Sequence, residues 1–181
     1  NISYETYNKA GGLIEFWLKP AVVALGVPLY LQLETIKKQF IPIFLSQFAG
    51  CTIGVISVVL IAKWMGASQD VILSLAPKSV TTPIAMEVTQ SIGGIPSLTA
   101  AVVVCVGLLG AILGFKTMKL MKVHSPIAQG LAIGAAAHAV GTSTAMEVSR
   151  KYGAYASLGL TLNGILTSIL TPSILRLMNV L

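Results

Sequence analysis

Apolar runs long enough to cross a bilayer alternate along this chain with two stretches that are apolar but interrupted. Residues 41–62, 95–115 and 154–179 are near-continuous hydrophobic runs, the last carrying Asn163 and Pro172. Each is close to the ~20 residues that a helix needs to cross about 30 Å of hydrocarbon. An earlier run over 13–33 holds Glu15, Lys19, Pro20 and Pro28, and predicts a kinked membrane helix behind a polar loop at 1–12. Between the clean runs lie segments 69–92 and 126–150. Each is broken near its middle by Pro, Gly, Ser or Thr, reading PKSVTTPIAMEV at 77–88 and HAVGTSTAMEV at 138–148. Neither suits one straight helix.

The two broken segments are copies. At an offset of 60 positions, Val80 falls on Val140, Thr82 on Thr142, and Ala85-Met86-Glu87-Val88 on Ala145-Met146-Glu147-Val148. Gly93 meets Gly153, and Ser97-Leu98 meets Ser157-Leu158. The helix upstream joins in, because Gly50 and Gly54 fall on Gly110 and Gly114. These small-xxx-small pairs predict close helix packing in lipid. The duplicated unit is one spanning helix plus one broken segment.

Charge decides how the copies face. If each broken segment crossed fully, Lys37 and Lys38 would lie opposite Lys116, Lys119 and Lys122. If each dips in and returns, those lysines share a side with Arg150 and Lys151, as the positive-inside rule prefers. Lys63 is then on the wrong side. Re-entrant segments also make the copies inverted, a common transporter plan. The predicted fold is therefore an all-α polytopic membrane protein with an inverted internal repeat. It is one domain over 1–181, with repeat unit 1 at about 41–98, unit 2 at about 101–158 and a final helix at 154–179.

Composition agrees. The chain is 55% hydrophobic and 10% charged, with a mean hydropathy of +0.84. A soluble domain carries about a quarter charged residues, so a soluble class is excluded. The net charge of +6 follows from basic loops between apolar runs and does not imply nucleic acid. Cys51 and Cys105 lie inside apolar runs and read as small core residues. No Gly-x-Ser-x-Gly elbow is present, and His124 and His138 have no metal-ligand spacing around them. Neither an enzyme, a cofactor nor a metal site is expected.

Irregular backbone at membrane depth survives only inside protein or beside a water-filled cavity. Each break is followed by a short helix, whose N-terminus offers free N–H groups and a partial positive charge. Thr82 is the predicted N-cap of the first, with Pro83 at its first helical position, and Thr142 or Ser143 of the second. Two such ends at the midplane would form an anion site. The candidate substrate-binding residues are Lys78, Ser79, Thr81 and Thr82 from the first break, and His138, Gly141, Thr142, Ser143 and Thr144 from the second. Lys78 and His138 match across the repeat. His138, Glu147 and Glu87 are candidate proton carriers. The ligand class this pattern suits is a small carboxylate.

The segments PKSVTTPIAMEVTQSIGGIPS at 77–97 and GAAAHAVGTSTAMEV at 134–148 resemble the LrgB/CidB family of membrane proteins, which includes the LrgB-like half of the plastid glycolate/glycerate transporter. The resemblance covers essentially the whole chain. It implies that the domain has further hydrophobic segments before Asn1. Many relatives carry Ala-Arg where this chain has Ser143-Thr144, so no arginine role transfers here. The resemblance implies two functional pictures. One is transport of small monocarboxylates such as pyruvate, glycolate or glycerate, alongside an LrgA/CidA-type partner. The other is a holin/antiholin-like control of murein hydrolase export and cell lysis. The duplicated breaks favour transport. The expected setting is a bacterial cytoplasmic membrane, or a plastid envelope for a plant source, with lipid, a homo-oligomer and a small organic anion as the partners.

Overall fold

The computed structural model describes the backbone of residues 33–181, together with Phe16, Trp17, Pro20 and Tyr30; the polar loop predicted at 1–12 and most of the kinked helix predicted over 13–33 lie outside the described residues. Helices follow in the order α1 (Leu33–Lys38), α2 (Phe40–Trp64), α3 (Gln69–Leu75), α4 (Thr82–Ser91), α5 (Pro96–Leu120), α6 (Pro126–Val148) and α7 (Arg150–Leu177), with no strand among the described residues. Of these, α2, α5 and α7 are long and apolar enough to cross a membrane. The protein is an all-α membrane protein. Local chemistry sets the boundaries. α5 starts at Pro96, whose missing N–H costs nothing in a first turn. α7 starts four residues earlier than expected, because Ser149 caps it, its Oγ accepting from the Tyr152 N–H at 3.4 Å. α2 and α4 stop at Gly66 and Gly93, whose φ values of 75° and 82° few other residues adopt. The bonds from Ala67 N–H to Ala62 O and from Gly94 N–H to Thr89 O then close both ends.

The first broken segment is a hairpin. α3 enters from the end where α2 finishes, residues 76–81 turn, and α4 comes back. Ser74 shows the return: its Oγ accepts from the Ile95 N–H at 2.8 Å, and its carbonyl accepts from Thr99 Oγ1 at 2.9 Å. Thr99 in turn lies 2.8 Å from Thr89 Oγ1. A segment that crossed would carry residues 89–99 far from Ser74. Ile92 and Val88, late in α4, join Ala62, Ile72 and Ile174 in one apolar cluster at that same end.

The second broken segment is also a hairpin, entering from the opposite end. α6 is interrupted at His138, with φ 42° and ψ −133°, into arms at 126–137 and 139–148. The chain folds back there. A Cβ on Gly141 would sit 2.9 Å from Ile133 O, although the two are eight positions apart. Ala145 packs with Ile133 and Ala156, near Phe115 and Met118. Lys37, Lys38, Lys116, Lys119, Lys122, Arg150 and Lys151 consequently sit at one end of the molecule, hereafter the basic end. Lys63 and Arg176 sit at the other, where Lys63 Nζ donates to Met178 O at 2.7 Å.

α7 is the post around which both hairpins assemble. Gly130 and Gly134 let the first arm of α6 approach it backbone to backbone: a Cβ at 134 would overlap the Ala156 carbonyl, and Gly159 meets Leu131 in the same way. Half-way along α7, Asn163 Nδ2 donates to Ser79 O in the first tip at 2.9 Å and to Ala135 O in the second hairpin at 3.0 Å. We predict that Asn163→Leu, which keeps the branched skeleton and strands both carbonyls, costs about 1–3 kcal/mol. A thermal melt of the purified protein in detergent, compared with wild type, measures it.

Candidate functional site

A cavity of about 650 Å³ opens beside Asn163. It runs from Gln39, Pro42 and Ser125 at the basic end to Ala76, Lys78 and Ser79 of the first tip. α2 supplies one wall with Ser46, Gln47, Gly50, Cys51 and Gly54, the second hairpin another with Leu131, Ala132, Ala135 and Ala136, and α7 the third with Asn163 and Thr167. A shallower groove of about 470 Å³ between α5 and α6 reaches the same Lys78 and Ser79 from the other side. The first tip therefore separates two cavities.

The chemistry of the larger cavity is uneven. Among the described residues Lys78 is the one charged residue lining it, and its Nζ donates to Ser79 Oγ at 3.1 Å. Cys51 Sγ and Thr167 Oγ1 are hydrogen-bonded across α2 and α7 at 3.3 Å. Gln47 Nε2 points to Leu131 O at 3.5 Å, whereas Gln47 Oε1 is buried without a partner. The remaining walls are largely apolar. A cation deep in a greasy cleft, with no carboxylate in the wall among the described residues, favours an anion with a short apolar body.

The sequence-derived residues do not all converge here. Lys78 and Ser79 line the cavity. Thr81, not Thr82, holds the N-cap position of α4, and its Oγ1 is buried with no partner, so the predicted cap is displaced by one residue and its hydroxyl bond is not formed. Thr82 is already inside the helix. His138 turns away from the cavity: its Nε2 donates to Val103 O of α5 at 2.9 Å, because Gly107 leaves room for the ring. Nor do Thr142 and Ser143 cap the second arm. That arm begins at 139, and the hydroxyls of Thr142, Ser143 and Thr144 donate to His138 O, Ala139 O and Val140 O one turn back. Gly141 serves the close passage of the two arms. What the second hairpin shows to the cavity is one face of its first arm along its length, from Ser125, Ile127 and Ala128 to Ala135 and Ala136, and not the start of its second arm.

Two further placements differ from expectation. Gly110 and Gly114 pack tightly on Ala137 and Ile133, but Gly50 and Gly54 have nothing within 4 Å and line the cavity instead. Glu87 and Glu147 are exposed at opposite ends, and neither lines the larger cavity or the groove. Sequence reasoning missed Gln47, Cys51 and Thr167, and noted Asn163 without a role. An amide inside a spanning helix was the available signal, since such groups are costly in lipid unless partnered.

These features define a polytopic membrane protein built on two oppositely directed re-entrant hairpins around a cavity with, among the described residues, a single cation in its wall. The chain belongs to the LrgB-like family, whose model matches residues 1–177. It is 41% identical over 178 residues to the uncharacterized protein YwbG of Bacillus subtilis (strain 168), covering 98% of this chain and 79% of that protein. It is 38% identical over 180 residues to YxaC, an uncharacterized protein of the same strain, covering 99% and 78%. The antiholin-like protein LrgB of Bacillus cereus (strain B4264) is 37% identical over 172 residues, covering 95% and 75%. That name agrees with the lysis-control reading of the sequence rather than with the carrier reading. No solved structure matches the chain.

The unequal glycine environments give a direct contrast. Gly114→Leu forces a side chain into Ile133, and overpacking of this kind costs about 1–3 kcal/mol. Gly54→Leu meets open space and is predicted to leave thermal stability nearly unchanged. Comparing the melts and the monodisperse yields of the two variants checks this.

Proposed function

We propose that the protein is a carrier of small monocarboxylates, of the pyruvate, glycolate or glycerate class, admitted to the cavity from the basic end. The observation that supports this is Lys78, among the described residues the one charged group lining a cleft whose other walls are uncharged and mostly apolar. A charge held at membrane depth is expensive and is offset by a partner of opposite sign. The first tip offers a further donor beside it, the Ser79 hydroxyl. Alanine and glycine walls suit a two- or three-carbon body. Under the positive-inside rule the basic end faces the cytoplasm, so the cavity is open inward. The setting is a bacterial cytoplasmic membrane, with an LrgA/CidA-type partner and a homo-oligomer as the natural assemblies. The protein acts as a carrier and not as an enzyme.

A second reading is supported by the name of the Bacillus cereus relatives, antiholin-like protein LrgB. In that reading the protein regulates the export of murein hydrolases and cell lysis. The helices then matter as an oligomerising surface, and Lys78 has no solute to hold.

Uptake of labelled pyruvate and glycolate into proteoliposomes separates the two. For a carrier, wild type takes up solute, and Lys78→Ala lowers the rate at least tenfold while the vesicles retain a large dye. Dye leakage that follows oligomer formation and ignores Lys78→Ala supports lysis control and removes the carrier reading.

A further inference from the structure

The two repeat units share a sequence pattern but not a conformation. In unit 2 the second hairpin is seated on α5. Gly107 faces His138, Gly110 faces Ala137 and Gly114 faces Ile133, each too close for an added Cβ without movement. The same offset of 60 positions carries these three pairs onto Gln47 and Lys78, Gly50 and Pro77, and Gly54 and Leu73 of unit 1. There, among the described residues, the seat is empty. Gly50 and Gly54 have no neighbour within 4 Å, and the larger cavity occupies the gap between α2 and the first tip.

Two polar groups mark the empty seat. Gln47 is only 4% exposed, yet its Oε1 has no hydrogen-bond partner. A buried acceptor left unpaired is costly and calls for an explanation. Lys78 stands across the gap, donating to its own neighbour Ser79. In unit 2 the matching pair is already closed, with His138 against Gly107 and bonded to Val103 O. An ammonium on a long stem meeting an amide oxygen is the counterpart that unit 1 has available.

We propose that the protein has a second, closed state in which the first hairpin tip seats on the Gly50–Gly54 face of α2, the Lys78 ammonium donates to Gln47 Oε1, and the cavity is filled. The state does not depend on which solute is carried, so it stands apart from the carrier reading. It assigns Gln47 as a positioning residue for Lys78. It also explains why unit 1 keeps glycines that pack against nothing in the open state.

The test uses the full chain in native membranes, with Cys51→Ala and Cys105→Ala as background. Gly50→Cys is paired with Pro77→Cys and, to remove dependence on the proline, Gly54→Cys is paired with Leu73→Cys. Under mild oxidation both pairs are expected to cross-link. In the Gly50–Pro77 pair, Gln47→Leu is expected to lower the yield several-fold, and Gly54→Leu, which has room only in the open state, to lower it at least fivefold. The cross-linked protein is expected to lose labelling of Ser46→Cys by a water-soluble thiol reagent. No cross-link by either pair, in a monodisperse protein whose Gly50→Cys thiol is labelled, overturns the closed state. Cross-linking unaffected by Gln47→Leu overturns the Lys78–Gln47 contact.

Discussion

Two breaks in the helical backbone at membrane depth require hydrogen-bond donors that lipid cannot supply, and Asn163 provides two from one side chain. Its amide answers a carbonyl in each hairpin, Ser79 O and Ala135 O. One residue on one helix thereby fixes where both tips stand. The cavity exists because those tips are held beside α7 while α2 stands back from the first of them. An apolar residue at 163 would leave neither carbonyl a partner and give the first tip no fixed depth.

Packing around that clamp is graded. The second hairpin lies against α7 and α5 through glycines whose added Cβ atoms would overlap backbone or side chains. The first hairpin is held by hydroxyls at its base, where Ser74, Thr89 and Thr99 interlock, and by the apolar cluster of Ile72, Val88 and Ile174. Its tip, carrying Lys78 and Ser79, borders empty space on two sides. The charged group thus sits on a tip that faces cavities on two sides, while its neighbours Ala76, Pro77 and Val80 are buried against protein.

Much of this architecture can be read from the residues. Three apolar runs became α2, α5 and α7, and the AMEV repeat with its broken flanks located both hairpins. What could not be read was the rotation of each helix about its own axis. In lipid, the face turned to acyl chains is as apolar as the face turned to protein, so periodicity does not mark the buried side. Hence Gly50 and Gly54 carried the same signal as Gly110 and Gly114 but met open space, and Gln47 and Thr167 passed unremarked. His138 matched Lys78 in sequence yet turned to α5, because Gly107 made room for an imidazole there and nothing in the local pattern reports that room. The cap at Thr81 was misplaced by one position, since two adjacent threonines before Pro83 offer equal local chemistry.

The junction at Ser149 has a mechanical meaning. This single extended residue is all that separates α6 from α7, and its hydroxyl caps the helix that follows. The second hairpin is in effect welded to the central post at its exit. The first hairpin hangs between two four-residue tethers, 65–68 and 92–95, each containing a glycine with positive φ. Added length in the 65–68 tether would be absorbed as slack, whereas one extra residue at 149 would rotate α7 by about 100° and carry Asn163 off both carbonyls. Spacer length therefore divides the molecule into a frame and a suspended arm.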